Sequence, residues 1–205
     1  MKKTILICFC VVGFCLHAQT YSEKDFKQTV SQVNTSKTES DYETIFQKFS
    51  VFTSTKPSEK WDAYYYAAVA MYMKAELQLK KSPSADVSNL SALAGKYARG
   101  GASDSKINTA ETDILLGLIA LQKADIKGAK DVQTNLDIAS QMIAKAQAVS
   151  PENPRLAILK AKLAERSGNK ENAEKLFKKA LTGLETKSTS STAPSWGRQL
   201  IPSVN

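Results

Sequence analysis

At 205 residues, with 42% apolar and 23% charged side chains, the chain is long enough for one domain with a sizeable core. Its net charge of +8 raises nucleic acid as a partner, but the lysines sit beside glutamates at helical spacing, as in Glu171 to Lys175, and no nucleic-acid module accompanies them. The three cysteines and the single histidine are Cys8, Cys10, Cys15 and His17, so a chain processed after Ala18 keeps no thiol or imidazole, which excludes disulfides, Cys/His zinc sites and histidine-based catalysis.

Residues 1–18 are expected to be a secretory signal. Lys2 and Lys3 supply its positive start, Thr4 to Leu16 its short apolar run, and Ala18 a small residue at the cut. The mature protein is then expected outside the cytoplasm, periplasmic or secreted. Anchoring through an acylated Cys15 is disfavoured by the bulky Phe14 before it. About 187 residues remain, enough to bury roughly 70% of their unfolded surface without disulfides.

Phe26, Val30 and Val33 recur at i, i+4 and i+7, which predicts a helix over Ser22–Val33. A second helix is predicted from Ser40, where Ser40 and Glu43 fit a capping box and Tyr42, Ile45, Phe46 and Phe49 form a stripe. From Ser58 to Leu79, Trp61, Tyr64, Tyr65, Ala68, Tyr72 and Ala75 share one broad helical face. Tyr66 falls about 140° round from Trp61, off that face. A further helix is expected over Ser84–Arg99, carrying Leu90, Leu93, Ala94 and Tyr97, with Gly100-Gly101 as its stop.

Lys106 to Ala124 reads as a helix with Ile114, Leu115, Leu116, Leu118 and Leu121, and Gly117 permitting close helix contact. Its apolar run is too short to span a bilayer, so no transmembrane segment is expected in the mature chain. Between Asp125 and Gln133 the spacing breaks, which predicts a loop. Asn153-Pro154 opens the next helix, Gly168 ends it near Arg166, and Asn169 caps a last one bearing Ala173, Leu176, Phe177, Ala180, Leu181 and Leu184. Residues 186–205 lack apolar spacing at first and read as a flexible tail, but Trp196, Leu200, Ile201 and Val204 are too apolar for plain solvation. Trp196 is expected to dock back on the helices or on a partner.

Ala139, Ile143, Ala146 and Pro151 recur 34 residues later as Ala173, Phe177, Ala180 and Glu185, with only the proline not repeated. With Leu116-Gly117 and the Trp61-to-Ala68 spacing, these residues resemble the tetratricopeptide-repeat family. The likeness spans Leu136 to Leu184 and, less completely, Ser58 to Ala124. The Trp-x-x-Tyr-Tyr start, the Pro-x-Asn-Pro-Arg turn and the closing Pro-Ser-Trp-Gly also look like small exported helical-repeat proteins. The resemblance implies an all-α fold over residues 19–185, a right-handed superhelical stack of helix hairpins (an α-solenoid) with about eight helices. It also implies a concave wall exposing Asp62, Tyr66 and Val69, then Ile114, Leu118 and Leu121, then Arg155, Ile158, Lys162 and Arg166. The departures are the loop after Asp125, the less regular helix from Ser84 and Glu185 in place of proline.

Three classes of function remain. A non-catalytic module or scaffold would use its groove on a protein or peptide, with Tyr66, Arg155, Lys162, Arg166 and Trp196 as the contact residues. Guanidinium groups favour carboxylates, so an acidic segment is the natural ligand. A structural component of an envelope assembly would dock through the tail. An enzyme would have only carboxylates, with Asp113, Asp125 and Asp131 as candidates. Nothing fixes two of those at a working separation, so no catalytic residue, cofactor or metal site is expected.

Overall fold

Hydroxyl, carboxyl and amide side chains set where most of the helices begin. A computed structural model describes residues 22–54, 59–102, 109–187, 194 and 196–202; among them are eight α-helices, one short 3₁₀ turn and no strand. The all-α class is therefore as expected, and the segment expected to be the leader, with Cys15, lies outside the described residues.

Helix α1 (Glu23–Thr35) is capped by Ser22, whose Oγ accepts the Asp25 N–H at 3.3 Å. Helix α2 (Glu39–Phe52) starts earlier than Ser40. Thr38 is its cap, accepting from the Asp41 N–H at 3.1 Å, while the Asp41 carboxylate accepts from Thr38 N–H at 2.9 Å and Lys37 N–H at 3.1 Å. Asp41 thus satisfies two backbone donors that would otherwise be left over. Glu43, the other capping candidate, is used between helices, where it accepts from Lys74 Nζ at 2.7 Å.

Helix α3 (Lys60–Lys81) is central. Every residue from Tyr65 to Met73 is buried, so the expected single face is in fact a full circumference. Its neighbours account for this: α2 and the following helix α4 (Ser88–Ala102) flank it, and α1 also touches it. Helix α4 begins where Asp86 accepts the Ser88 N–H at 2.9 Å, and it does not stop at Gly100-Gly101 but runs through both. Those glycines serve close approach instead. A Cβ on Gly100 would lie 2.8 Å from the Tyr64 ring, and one on Gly101 would lie 3.4 Å from the Trp61 carbonyl oxygen.

Helices α5 (Thr109–Asp125) and α6 (Val132–Val149) are joined by the expected loop, which turns at Gly128 with φ 78°. Helix α7 (Pro154–Arg166) is capped by Asn153, whose side chain accepts the Arg155 N–H at 2.9 Å. It ends in a Schellman turn at Gly168, φ 77°, with the Asn169 N–H reaching the Ala164 carbonyl at 2.9 Å. Helix α8 (Lys170–Lys187) follows at once.

Successive helices pack on one another, and α1, α3, α5 and α7 also meet in that order. Ala139, Ala146, Ala173 and Ala180 are all buried at contacts, so the repeated small positions are where helices nest. In α6, Ala139 and Ala146 are the two buried residues, which leaves its outer surface solvated.

Candidate functional site: the face shared by the odd-numbered helices

Residues eleven apart in a helix are three turns apart and point the same way. Helices α3, α5 and α7 use that spacing to build two polar rungs across their shared side. Tyr65, Glu111 and Arg155 form the first rung, and Glu76, Gln122 and Arg166 lie eleven residues further on in each helix.

In the first rung Arg155 holds Glu111 by two parallel bonds, Nε to Oε2 at 2.8 Å and Nη2 to Oε1 at 2.6 Å. Glu111 also accepts from the Tyr65 hydroxyl at 2.9 Å and the Asn153 side-chain amide at 2.6 Å. Both ions are buried, so each would carry a large desolvation penalty were it not matched. Burial works to raise the Glu111 pKa, but hydrogen bonding and charge from Arg155, then Asn153 and Tyr65, outweigh it and hold the carboxyl below its ordinary range. Burial opposes the Arg155 charge in the same way, and Glu111 overcomes it. Tyr65 lies well above the ordinary phenol range, first through burial and then through the Glu111 charge. It therefore acts as a neutral hydroxyl.

The C-terminal segment closes over this rung. Trp196 is fully buried, its indole N–H donating to the Tyr65 hydroxyl at 2.8 Å and its ring lying against Tyr65 and Tyr72. The Arg155 guanidinium stands 5.9 Å from that ring, and its Nη1 donates to the carbonyls of Pro194 at 2.6 Å and Trp196 at 3.3 Å. The bonds make a closed circuit from Trp196 through Tyr65, Glu111 and Arg155 back to Trp196. Further along, Gln199 donates to the carbonyls of Val33 and Asn34 at the end of α1, each at 3.1 Å.

The second rung is wetter. Gln122 donates to Glu76 at 2.8 Å and to the Tyr72 carbonyl at 3.2 Å, and accepts from Ser91 of α4 at 2.8 Å. Lys162 pairs with Glu76 at 2.5 Å. Arg166 pairs with Asp125 and donates to the Ala124 carbonyl at 2.9 Å. Beside this rung, walled in part by the C-terminal segment, lies an open recess of about 840 Å³ bounded by Lys37, Met73, Glu76, Leu77, Lys162 and Ile201.

The residues expected to contact a partner are thus placed differently from an exposed wall. Tyr66 is buried and stacks on Phe49 of α2, with ring centroids 5.3 Å apart. Arg155 and Trp196 are interior and bonded to each other, while Lys162 and Arg166 reach the surface already paired. Val69, Ile114, Leu118, Leu121 and Ile158, also assigned to the wall, are core residues, and Asp62 is half-buried. The structure brings together Arg155 and Trp196, while Tyr66 turns toward α2, its ring edge-on to Tyr65 and stacked on Phe49.

Sequence reasoning missed Tyr65, Glu111, Asn153 and Gln122 as site residues. The available signal was a polar residue set into an apolar stripe, Glu111 and Gln122 being eleven apart in the same helix. Of the carboxylates considered for catalysis, Asp113 lies inside α5 and Asp125 at its end, about 18 Å apart along the axis, beyond the roughly 5–9.5 Å that a glycosidase pair needs. Asp125 is bound to Arg166, and Asp131 is the residue before α6. Among the described residues no group of three or more His, Cys, Asp or Glu could hold a metal ion, and no helix is long and apolar enough to cross a membrane.

The fold and site define an all-helical chain whose odd helices share a polar-floored face covered by its own C-terminal segment. No family model, no curated protein and no solved structure matches the sequence or the fold.

Proposed function

We propose that this chain is an exported, non-catalytic binding module: a right-handed superhelical stack of helix hairpins of the tetratricopeptide kind that takes an extended segment of a protein partner on its α1–α3–α5–α7 face. One observation carries the reading. That face already holds a stretch of polypeptide, by a buried aromatic anchor and by a guanidinium that bonds its main-chain carbonyls. Peptide-binding grooves work by this division, in which carbonyls give affinity and one seated side chain gives selectivity. The 34-residue recurrence of buried alanines supports the repeat architecture.

Charge pairing revises the expected ligand. Glu111, Glu76 and Asp125 already neutralise Arg155, Lys162 and Arg166, so the face favours an aromatic and its neighbouring carbonyls over an acidic peptide. An assembly role through the tail is less well supported, because Trp196 is seated inside its own chain.

A photo-crosslinking residue in place of Leu79, which borders the recess, tests the reading in cells. It should capture a protein through one extended segment, whereas the same probe at Lys170 on the exposed side of α8 should not. Equal capture at the two positions would count against a groove-binding role. Export is checked by the N-terminal sequence of the mature protein, expected to begin at Gln19.

A further inference from the structure

We infer that the C-terminal segment is a tethered occupant of the binding face, and that a partner enters by supplying a tryptophan-glycine segment in its place. This rests on the binding-module reading and adds to it the chemistry of the ligand and a means of regulation.

The receptor is assembled without help from the segment. Glu111, Arg155, Tyr65 and Asn153 come from α5, α7, α3 and the cap of α7, and the bonds among them involve no residue beyond Arg155. The hydrogen bonds the tail makes to these four residues use only spare capacity: the Nη1 donor of Arg155 and the acceptor side of the Tyr65 hydroxyl. Removing the tail would leave a fixed donor and a fixed acceptor beside an aromatic slot, a preorganised site.

The slot is selective. Gly197 has φ 122°, a conformation L side chains rarely adopt, and a Cβ there would sit 3.2 Å from Ile158 Cδ1 and 3.3 Å from Arg155 Cγ. A seated tryptophan must therefore be followed by glycine. Next comes a 3₁₀ turn, Arg198–Leu200, none of whose residues is buried. The fully buried part of the hold is thus Trp196 and Gly197, with Leu200 and Ile201 packing partly on the core and Gln199 adding bonds to the end of α1. A short buried anchor whose flanks are half-buried or exposed is the kind of contact a competing segment can replace.

A fluorescent peptide with the sequence of residues 194–202 is the probe, used with full-length wild-type protein and full-length Trp196→Ala and Gly197→Val variants. The peptide should bind both variants, and bind wild type roughly tenfold or more weakly, because the tether keeps the face occupied. Peptides with alanine in place of the tryptophan or the glycine should lose binding to all three proteins. If Trp196→Ala is unfolded alone, the peptide should restore its helical circular dichroism. The inference is overturned if a folded variant ignores the peptide, if wild type binds it as tightly as the variants do, if an unfolded variant is not restored, or if wild type is a dimer that exchanges tails. Capture at Leu79 without peptide binding would remove the tethered-occupant reading and leave the module; peptide binding without capture would overturn the module and, with it, the entry of a partner.

Discussion

Glu111 accepts four bonds on two oxygens, which uses about the full lone-pair capacity of a carboxylate. Glu111→Gln would keep the shape, remove the counter-charge and leave Arg155 buried and unmatched. That change should cost about 3–5 kcal/mol in urea unfolding at neutral pH. Because the folded carboxyl titrates below its ordinary value of 4.5, the pair's contribution is present above that value and is lost as pH falls through the lower, folded one. Wild type should therefore lose stability on acidification below about 4.5, and Glu111→Gln should lose less over the same window. Replacing both Glu111 and Arg155 with methionine would remove the charges but strand the Pro194 and Trp196 carbonyls, so full recovery is not expected. Arg155 was visible in the sequence as a cation, but its burial was not. The carboxylate that permits burial lies 44 residues away, and helical periodicity carries no information at that separation.

Among the helices, what the sequence made legible was the spacing of small residues. Gly117 was expected at a close contact, and a Cβ there would come within 2.6 Å of Leu159 Cδ2 and 3.2 Å of Met142 Cβ. Alanine has about 1 kcal/mol more helix propensity than glycine, but overpacking a full contact costs about 1–3 kcal/mol. Gly117→Ala should accordingly lower the melting temperature. Ala173→Leu should lose about 1–3 kcal/mol by the same mechanism, while Lys170→Leu, on an exposed position, should change stability little. Equal losses would mean that Ala173 is not at a helix contact. Local signals failed where two readings competed. Thr38 and Ser40 both open a capping-box pattern, and the Gly100-Gly101 pair fits a stop as well as a contact; packing against Tyr64 and Trp61 decided the second case.

For the molecule as a whole, the net positive charge is a poor basis for assigning a ligand. Lys162 and Arg166, both partly exposed, face Glu76 and Asp125, and Lys162→Ala or Arg166→Ala should shift unfolding by no more than about 1 kcal/mol. The sequence showed that the apolar end must be covered somewhere. It did not show where, because the slot is built by three helices that are distant along the chain. The segment that fills it follows α8, crosses α3 and α7, and fastens to the carbonyls at the end of α1. Linear arrays of repeats ordinarily peel from their termini one unit at a time. Here Gln199, beyond the last helix, is bonded to the end of α1, so among the described residues the first and last elements of the array are tied together, and it should melt as one cooperative body. Circular dichroism and tryptophan emission should then trace a single coincident transition.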